Sequence, residues 1–263
     1  MKSYETLSLA TPEPGLLLVT LNRPQASNAL NTQMGLDLED LWTGLTAAPG
    51  ETRCVVLTGS GERAFCAGGD LKERHGMSDA AWVKQHEIFE RAYWRLIDCP
   101  VPVIAAVNGH AFGGGLELAL ACDFVYAVPD ARFACPEVTL GIMPGVGGTQ
   151  LMPRAAGERR AKELILTGRP FGAVEAAEWG IVNRICERAV LLAETTATAA
   201  AICANAPIAV RQAKKSIHHG LQMDLRNALM FEVEAYNRMV STEDRLEGVR
   251  AFNEKRKPAF KGL

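Results

Sequence analysis

The sequence contains no CxxC pair, no HExxH run, no GxxxxGK[ST] and no GxGxxG. The first two absences remove common zinc spacings, and the last two remove the usual nucleotide-phosphate fingerprints. An excess of one charge is missing too: 28 Lys and Arg against 30 Asp and Glu leave a net charge of −2. Nothing in that balance attracts nucleic acid or an anionic membrane. Residues 24 to 52 hold no lysine or arginine and include Asp37, Glu39 and Asp40, so a phosphate-neutralising early helix is excluded. The longest apolar runs, such as VPVIAAV, fall far short of the ~20 residues that cross a bilayer. The opening MKSYETLSLATPEPG has neither a signal-peptide core nor an arginine-rich amphipathic pattern, and a cytoplasmic location is expected. Cys54, Cys66, Cys99, Cys122, Cys135, Cys186 and Cys203 lie mostly among apolar residues, the pattern of buried free thiols in a reducing compartment. With His218 and His219 adjacent and no spaced histidine pair, no metal site is expected.

What is present is a 263-residue chain, 48% hydrophobic, long enough for a full core. GLLLVTLNRP reads as a strand ending in a turn. Asn31 is placed to cap a helix whose inner face is Met34, Leu38, Leu41, Trp42 and Leu45. RCVVLTGSG and PVPVIAAVNG are buried strands, AFCAGGDLKE is a short strand into a loop, and residues 80 to 97 form an amphipathic helix. Strand, glycine loop and helix follow one another twice, at Gly68-Gly69 and at Gly113-Gly114-Gly115, which argues for an α/β fold of repeated units. DFVYAVPDARFACPEVTLG adds two short strands around a Pro-Asp turn. After GIVNRI only helices are expected, one opened by Pro207 and ended at Gly220, and one carrying the stripe Leu225, Leu229, Val233, Tyr236 and Val240. Ser241 with Asp244 has the spacing of a capping box. The boundary falls near residue 190, dividing a core of residues 1–190 from a helical region of residues 191–263.

Three glycines in a row within HAFGGGLELALACD cost conformational entropy and mark a backbone that approaches something closely. An ordinary packed turn satisfies that, with Glu117 complementing the helix dipole. The glycine spacings here and at Gly145, Gly147 and Gly148 do not fit a phosphate cradle. The exposed N–H groups can instead meet an oxyanion formed during reaction, each donor supplying roughly 3–4 kcal/mol of transition-state stabilisation. FCAGGD is the best source of a second donor. Glu117, and Glu137 in CPEVTLG, could together hold a water and divide the roles of base and acid. A carboxylate pair also serves glycoside hydrolysis, which would leave both glycine loops without a purpose.

AFCAGGDLKE, PVIAAVNGHAFGGGLELALACDF, ARFACPEVTLGIMPGVGGTQ and TEDRLEGVRAFNEKRKPAFKG together resemble the crotonase superfamily and, within it, the enoyl-CoA hydratases. The resemblance spans essentially the whole chain. Its most specific element is the pair Glu117 and Glu137, twenty residues apart. It implies a spiral of ββα units whose C-terminal helices pack trimers, often paired into hexamers. It implies an oxyanion hole from the N–H groups of Gly69 and Gly114, water activation by Glu117 and protonation of Cα by Glu137. Coenzyme A, part of the substrate and not a separate cofactor, would contact Gln25, Ala26 and Ser27, the segment Ala67 to Lys72 with Asp70 and Leu71, and Phe252 and Lys255. Position 25 is frequently lysine in such hydratases, and Gln25 lacks that charge-assisted phosphate contact. DLKERHGM also resembles methylglutaconyl-CoA hydratases, so a branched C5 dicarboxylic substrate is an alternative, as is enoyl-CoA isomerisation. Those relatives include an RNA-binding member, a role the unbasic early helix does not support.

Overall fold

The computed structural model describes residues 2–263. Its framework begins with β1 (Leu7–Glu13), β2 (Leu16–Leu21) and α1 (Thr32–Ala47). Asn31 caps α1 by accepting from the Met34 N–H, and Met34, Leu38, Leu41, Trp42 and Leu45 are buried, as the periodicity requires. The next elements are β3 (Cys54–Gly59), β4 (Ala64–Cys66), α2 (Leu71–Arg74) and α3 (Asp79–Ile97). The pattern repeats with β5 (Val103–Val107), β6 (His110–Phe112) and α4 (Gly114–Ala121), and again with β7 (Phe124–Ala127) and β8 (Arg132–Ala134). After a 3-10 turn at Glu137–Leu140 come α5 (Gly148–Ala156), α6 (Glu158–Thr167), β9 (Phe171–Gly172), α7 (Ala173–Glu178) and β10 (Arg184–Ile185). Four helices finish the chain: α8 (Leu191–Cys203), α9 (Pro207–Gly220), α10 (Leu225–Val240) and α11 (Glu243–Asn253).

The pairs β3–β4, β5–β6 and β7–β8 each send one strand to each of two sheets, whereas β1 and β2 both lie in the larger one. The larger sheet has the order β1-β2-β3-β5-β7-β10 and the smaller β4-β6-β8-β9. Pairing is parallel from β2 through β10 and from β4 through β8, with β1 and β9 antiparallel at the edges. This is the expected ββα spiral. Strands β3 and β5 are buried at every residue because α8 covers one face and β4 approaches from the other. Parallel strands of this kind read as continuous apolar runs, which is why RCVVLTG and PVIAAV were legible.

Two local expectations change. The glycine run does not follow β5 directly: His110–Phe112 forms β6, whose three residues are too few to show a period. The cap of α11 is Thr242, whose hydroxyl accepts from the Arg245 N–H, while Ser241 ends α10. Asp244 is buried and accepts instead from the N–H groups of Lys261 and Gly262, fastening the C-terminal tail. Helix α8 belongs to the packing of the sheet, with Leu191, Ala199 and Cys203 in the core, and α9 pairs with α10. All seven cysteines are free and buried. Among the described residues no helix is long and apolar enough to cross a membrane.

Candidate active site

The three glycines that open α4 serve three different close approaches. Gly113 has φ +53, and a Cβ there would stand 3.0 Å from Oε1 of Glu137. At Gly114 a Cβ would meet Cδ1 of Leu30 at 2.9 Å, and at Gly115 it would lie 2.0 Å from the Cys66 carbonyl oxygen. Only a chain without side chains lets α4 begin against the end of β4. The second loop meets the first there: a Cβ on Gly68 would lie 3.3 Å from the Gly114 nitrogen. Leu30 bridges to Gly69 in parallel fashion, the Leu30 N–H donating to the Gly68 carbonyl and the Asp70 N–H to the Leu30 carbonyl. Gly69 itself donates to no acceptor among the described residues. Gly114 is the first residue of its helix, so its N–H has no partner within the turn. The Tyr93 hydroxyl donates to the Gly114 carbonyl at 2.5 Å, tying this turn to α3.

Glycines at 68, 69, 113 and 114 line an open cleft of about 1020 Å³, together with Glu117, Glu137 and apolar residues of α3 and of the segment 140–146. Glu117 is 2% exposed, on the first turns of α4. Its Oε1 accepts from the N–H groups of Val146 at 3.0 Å and Gly148 at 2.7 Å, so the loop entering α5 orients the carboxylate. Burial pushes the Glu117 carboxyl above the usual range, and these N–H donors offset part of the shift. Glu137, 8% exposed at the start of the 3-10 turn, leaves Oε2 buried with no hydrogen-bond partner. Burial, added to by the nearby Glu117 charge, raises its pKa to about 7. The two carboxyls therefore differ: Glu117 has donors that favour its anion, and Glu137 is the better holder of a proton.

Ala67 and Leu71 also line the cleft. The Ala67 N–H donates to the Ser27 carbonyl at 3.1 Å, which places the turn of Gln25, Ala26 and Ser27 beside it. Lys72 is exposed on α2. Asp70 is buried and committed: it caps α2 through the N–H groups of Lys72 and Glu73 and pairs with Arg23 at 2.9 Å. Phe252, 83% exposed, and Lys255 lie on and after α11 and do not line the cleft. Sequence reasoning passes over Tyr93, gives Arg74 no role of its own within DLKERHGM, and weighs the glycines of the 144–148 loop only against a phosphate cradle. Tyr93 falls on the apolar stripe of α3, and the GVGG run shows its use only once Glu117 is seen beneath it. No group of three His, Cys, Asp or Glu among the described residues is placed to hold a metal ion.

Spiral, paired glycine loops and buried carboxylates define a crotonase-type protein. The family model described as "Enoyl-CoA hydratase/isomerase" matches residues 11–263, and the chain belongs to that family. YngF of Bacillus subtilis is 47% identical over 248 residues, 94% of this chain and 95% of its own length. A short-chain-enoyl-CoA hydratase of Clostridium acetobutylicum is 42% identical over 245 residues, 93% of this chain and 94% of its own. The crystal structure of an enoyl-CoA hydratase from Bacillus anthracis matches with a TM-score of 0.96 at 43% identity, covering 98% of this chain and 100% of that one.

Proposed function

We propose that the protein is an enoyl-CoA hydratase, adding water syn across the Cα=Cβ bond of a 2-enoyl-CoA thioester to give the 3-hydroxyacyl-CoA. The observation that carries this reading is the meeting of two free backbone donors with two buried carboxyls of unequal proton affinity in one cleft. The N–H groups of Gly69 and Gly114 take the thioester oxygen and stabilise the enolate as charge reaches it. Glu117, held by Val146 and Gly148, accepts a proton from the water as its oxygen attacks Cβ. Glu137, with a pKa raised to about 7 by burial and by Glu117, delivers its proton to Cα. One proton then returns from Glu117 to Glu137, directly or through solvent, and the pair is reset.

An isomerase needs a single proton shuttle, and the presence of both buried glutamates favours hydration over it. The proposed site takes coenzyme A at the rim formed by residues 25–27 and 67–72, with Phe252 and Lys255 toward the nucleotide end, and uses no separate cofactor. Leu225, Leu229, Val233 and Tyr236 are more than half exposed on α10, which supports packing into a homotrimer or a hexamer. Free buried thiols support a reducing cytoplasm. The test is hydration of crotonyl-CoA, followed by loss of the enoyl thioester's ultraviolet absorbance, in Glu117→Gln and Glu137→Gln. Each should fall about 10²–10⁴-fold while a saturated acyl-CoA still binds. Wild-type turnover in Glu117→Gln would reject the assignment.

A further inference from the structure

The two oxyanion donors are held by different means. Gly69 sits in a backbone bridge, the Leu30 N–H donating to the Gly68 carbonyl at 2.8 Å and the Asp70 N–H to the Leu30 carbonyl at 2.9 Å, so main chain fixes it from both sides. The turn that presents Gly114 has less to hold it. Gly113, Gly114 and Gly115 carry no side chains to pack, Gly113 makes no side-chain cap, and its φ of +53 lies where glycine moves freely. On one side of the Gly114 N–H, the Gly113 N–H donates to the Ala134 carbonyl at 2.8 Å. On the other, the Gly114 carbonyl accepts from the Tyr93 hydroxyl at 2.5 Å, the one side-chain hydrogen bond made by residues 113–115 among the described residues.

Tyr93 is itself firmly placed. It is buried on α3, and one turn earlier Phe89 packs α3 closely on α1, where a Cβ on Gly35 would stand 2.7 Å from the Phe89 ring. Burial, with Cys66, Glu117 and Glu137 nearby, pushes the Tyr93 hydroxyl well above its usual pKa, so it remains a donor across the working range of pH. The Gly114 carbonyl is also the helical acceptor for the N–H four residues on, so it does not need Tyr93 to be satisfied. What the bond adds is direction. It ties the first turn of α4 to a second helix that lines the cleft, and both the Gly114 N–H and Glu117 ride on that turn.

We propose that Tyr93 is a positioning residue for hydration, aiming the Gly114 N–H at the thioester oxygen as the enolate forms. The assignment rests on the hydratase reading and adds a residue to it. The experiment compares wild type with Tyr93→Phe, which keeps the ring's volume and leaves the Gly114 carbonyl its helical partner, so the variant folds. Crotonyl-CoA hydration gives kcat and KM, and a saturated acyl-CoA gives the ground-state affinity. Bound 4-dimethylaminocinnamoyl-CoA reports the donor itself, because its absorbance band moves to longer wavelength as hydrogen bonds draw electron density onto the thioester oxygen. Tyr93→Phe should lower kcat about 10-fold, a fraction of the 10²–10³-fold that outright loss of an oxyanion donor costs, and change saturated acyl-CoA affinity less than about 3-fold. The red shift of the bound cinnamoyl thioester should shrink with it, which a tyrosine that merely stabilises the fold would not cause. A full red shift in Tyr93→Phe, or a kcat within about 3-fold of wild type, overturns the positioning role alone. No hydration of crotonyl-CoA by wild type overturns the hydratase reading together with it.

Discussion

Replacing Glu137 by glutamine should stabilise the protein at alkaline pH while removing activity. The folded protein raises the Glu137 pKa from 4.5 to about 7, so the folded state holds its proton where the unfolded chain has lost it. The sign follows directly. Below about pH 4.5 both states are protonated and burial of this group imposes no electrostatic cost. As pH rises toward about 7 the native state binds more protons than the unfolded one, and stability falls; above 7 the loss is complete. A shift of that size corresponds to roughly 3 kcal/mol, reduced to about 2 kcal/mol because the open cleft lets solvent screen part of it. An amide at position 137 never ionises, so the variant escapes this term, although its own NH2 group loses about 1 kcal/mol for want of a partner at all pH values. Taking the difference between variant and wild type at pH 8 and again at pH 4.5 cancels that constant. The pH-dependent remainder should be about +2 kcal/mol in urea unfolding, or roughly 4–8 °C in melting temperature. A variant whose stability difference from wild type is the same at both pH values would refute the raised pKa and the acid role built on it.

Gly148→Ala should act on Glu117 from a distance along the chain. Its Cβ would lie 2.9 Å from Oε1 and 3.1 Å from Cγ of Glu117, forcing the carboxylate or the α5 turn to shift by a few tenths of an ångström or more. Hydration kinetics should show kcat falling about 10²-fold with little change in saturated acyl-CoA binding, and unchanged kcat would mean that the position of Glu117 is not critical. Asp70→Ala should cost about 2–3 kcal/mol at pH 7 by stranding Arg23 and uncapping α2, read by urea unfolding. Burial alone would raise the Asp70 pKa, but Arg23 and the α2 N–H groups hold it below the usual value. Its stabilisation is therefore present above the unfolded pKa and is lost as pH falls through the folded one, so the wild-type advantage should shrink in acid.

Legibility in the sequence followed the range of the interactions involved. The β3 and β5 strands, the α1 face and its Asn31 cap are set by residues within one or two turns of each other, and the expectations drawn there match the structure. The three-residue β6 carries no period, and Thr242 competes with Ser241 for the α11 cap only once Asp244 is drawn to the tail by Lys261 and Gly262. Glu117 and Glu137 stood out as carboxyls in apolar stretches. The donors of Val146 and Gly148 to Glu117 and the Tyr93 bond to Gly114 depend on elements that meet only in three dimensions. Asp70, in a motif beside the glycines, is occupied by Arg23 from 47 residues away, a pairing no local pattern reveals.

Addition of water is tested most directly by isotope tracing. Wild-type protein incubated in ¹⁸O-water with crotonyl-CoA, and with longer 2-enoyl-CoA thioesters, should yield 3-hydroxyacyl-CoA carrying one ¹⁸O at C3 by mass spectrometry. Glu117→Gln and Glu137→Gln should each form that labelled product orders of magnitude more slowly. If no labelled hydroxyacyl-CoA forms from any of them while 3-enoyl-CoA substrates are converted to 2-enoyl-CoA, the protein moves double bonds and does not hydrate them.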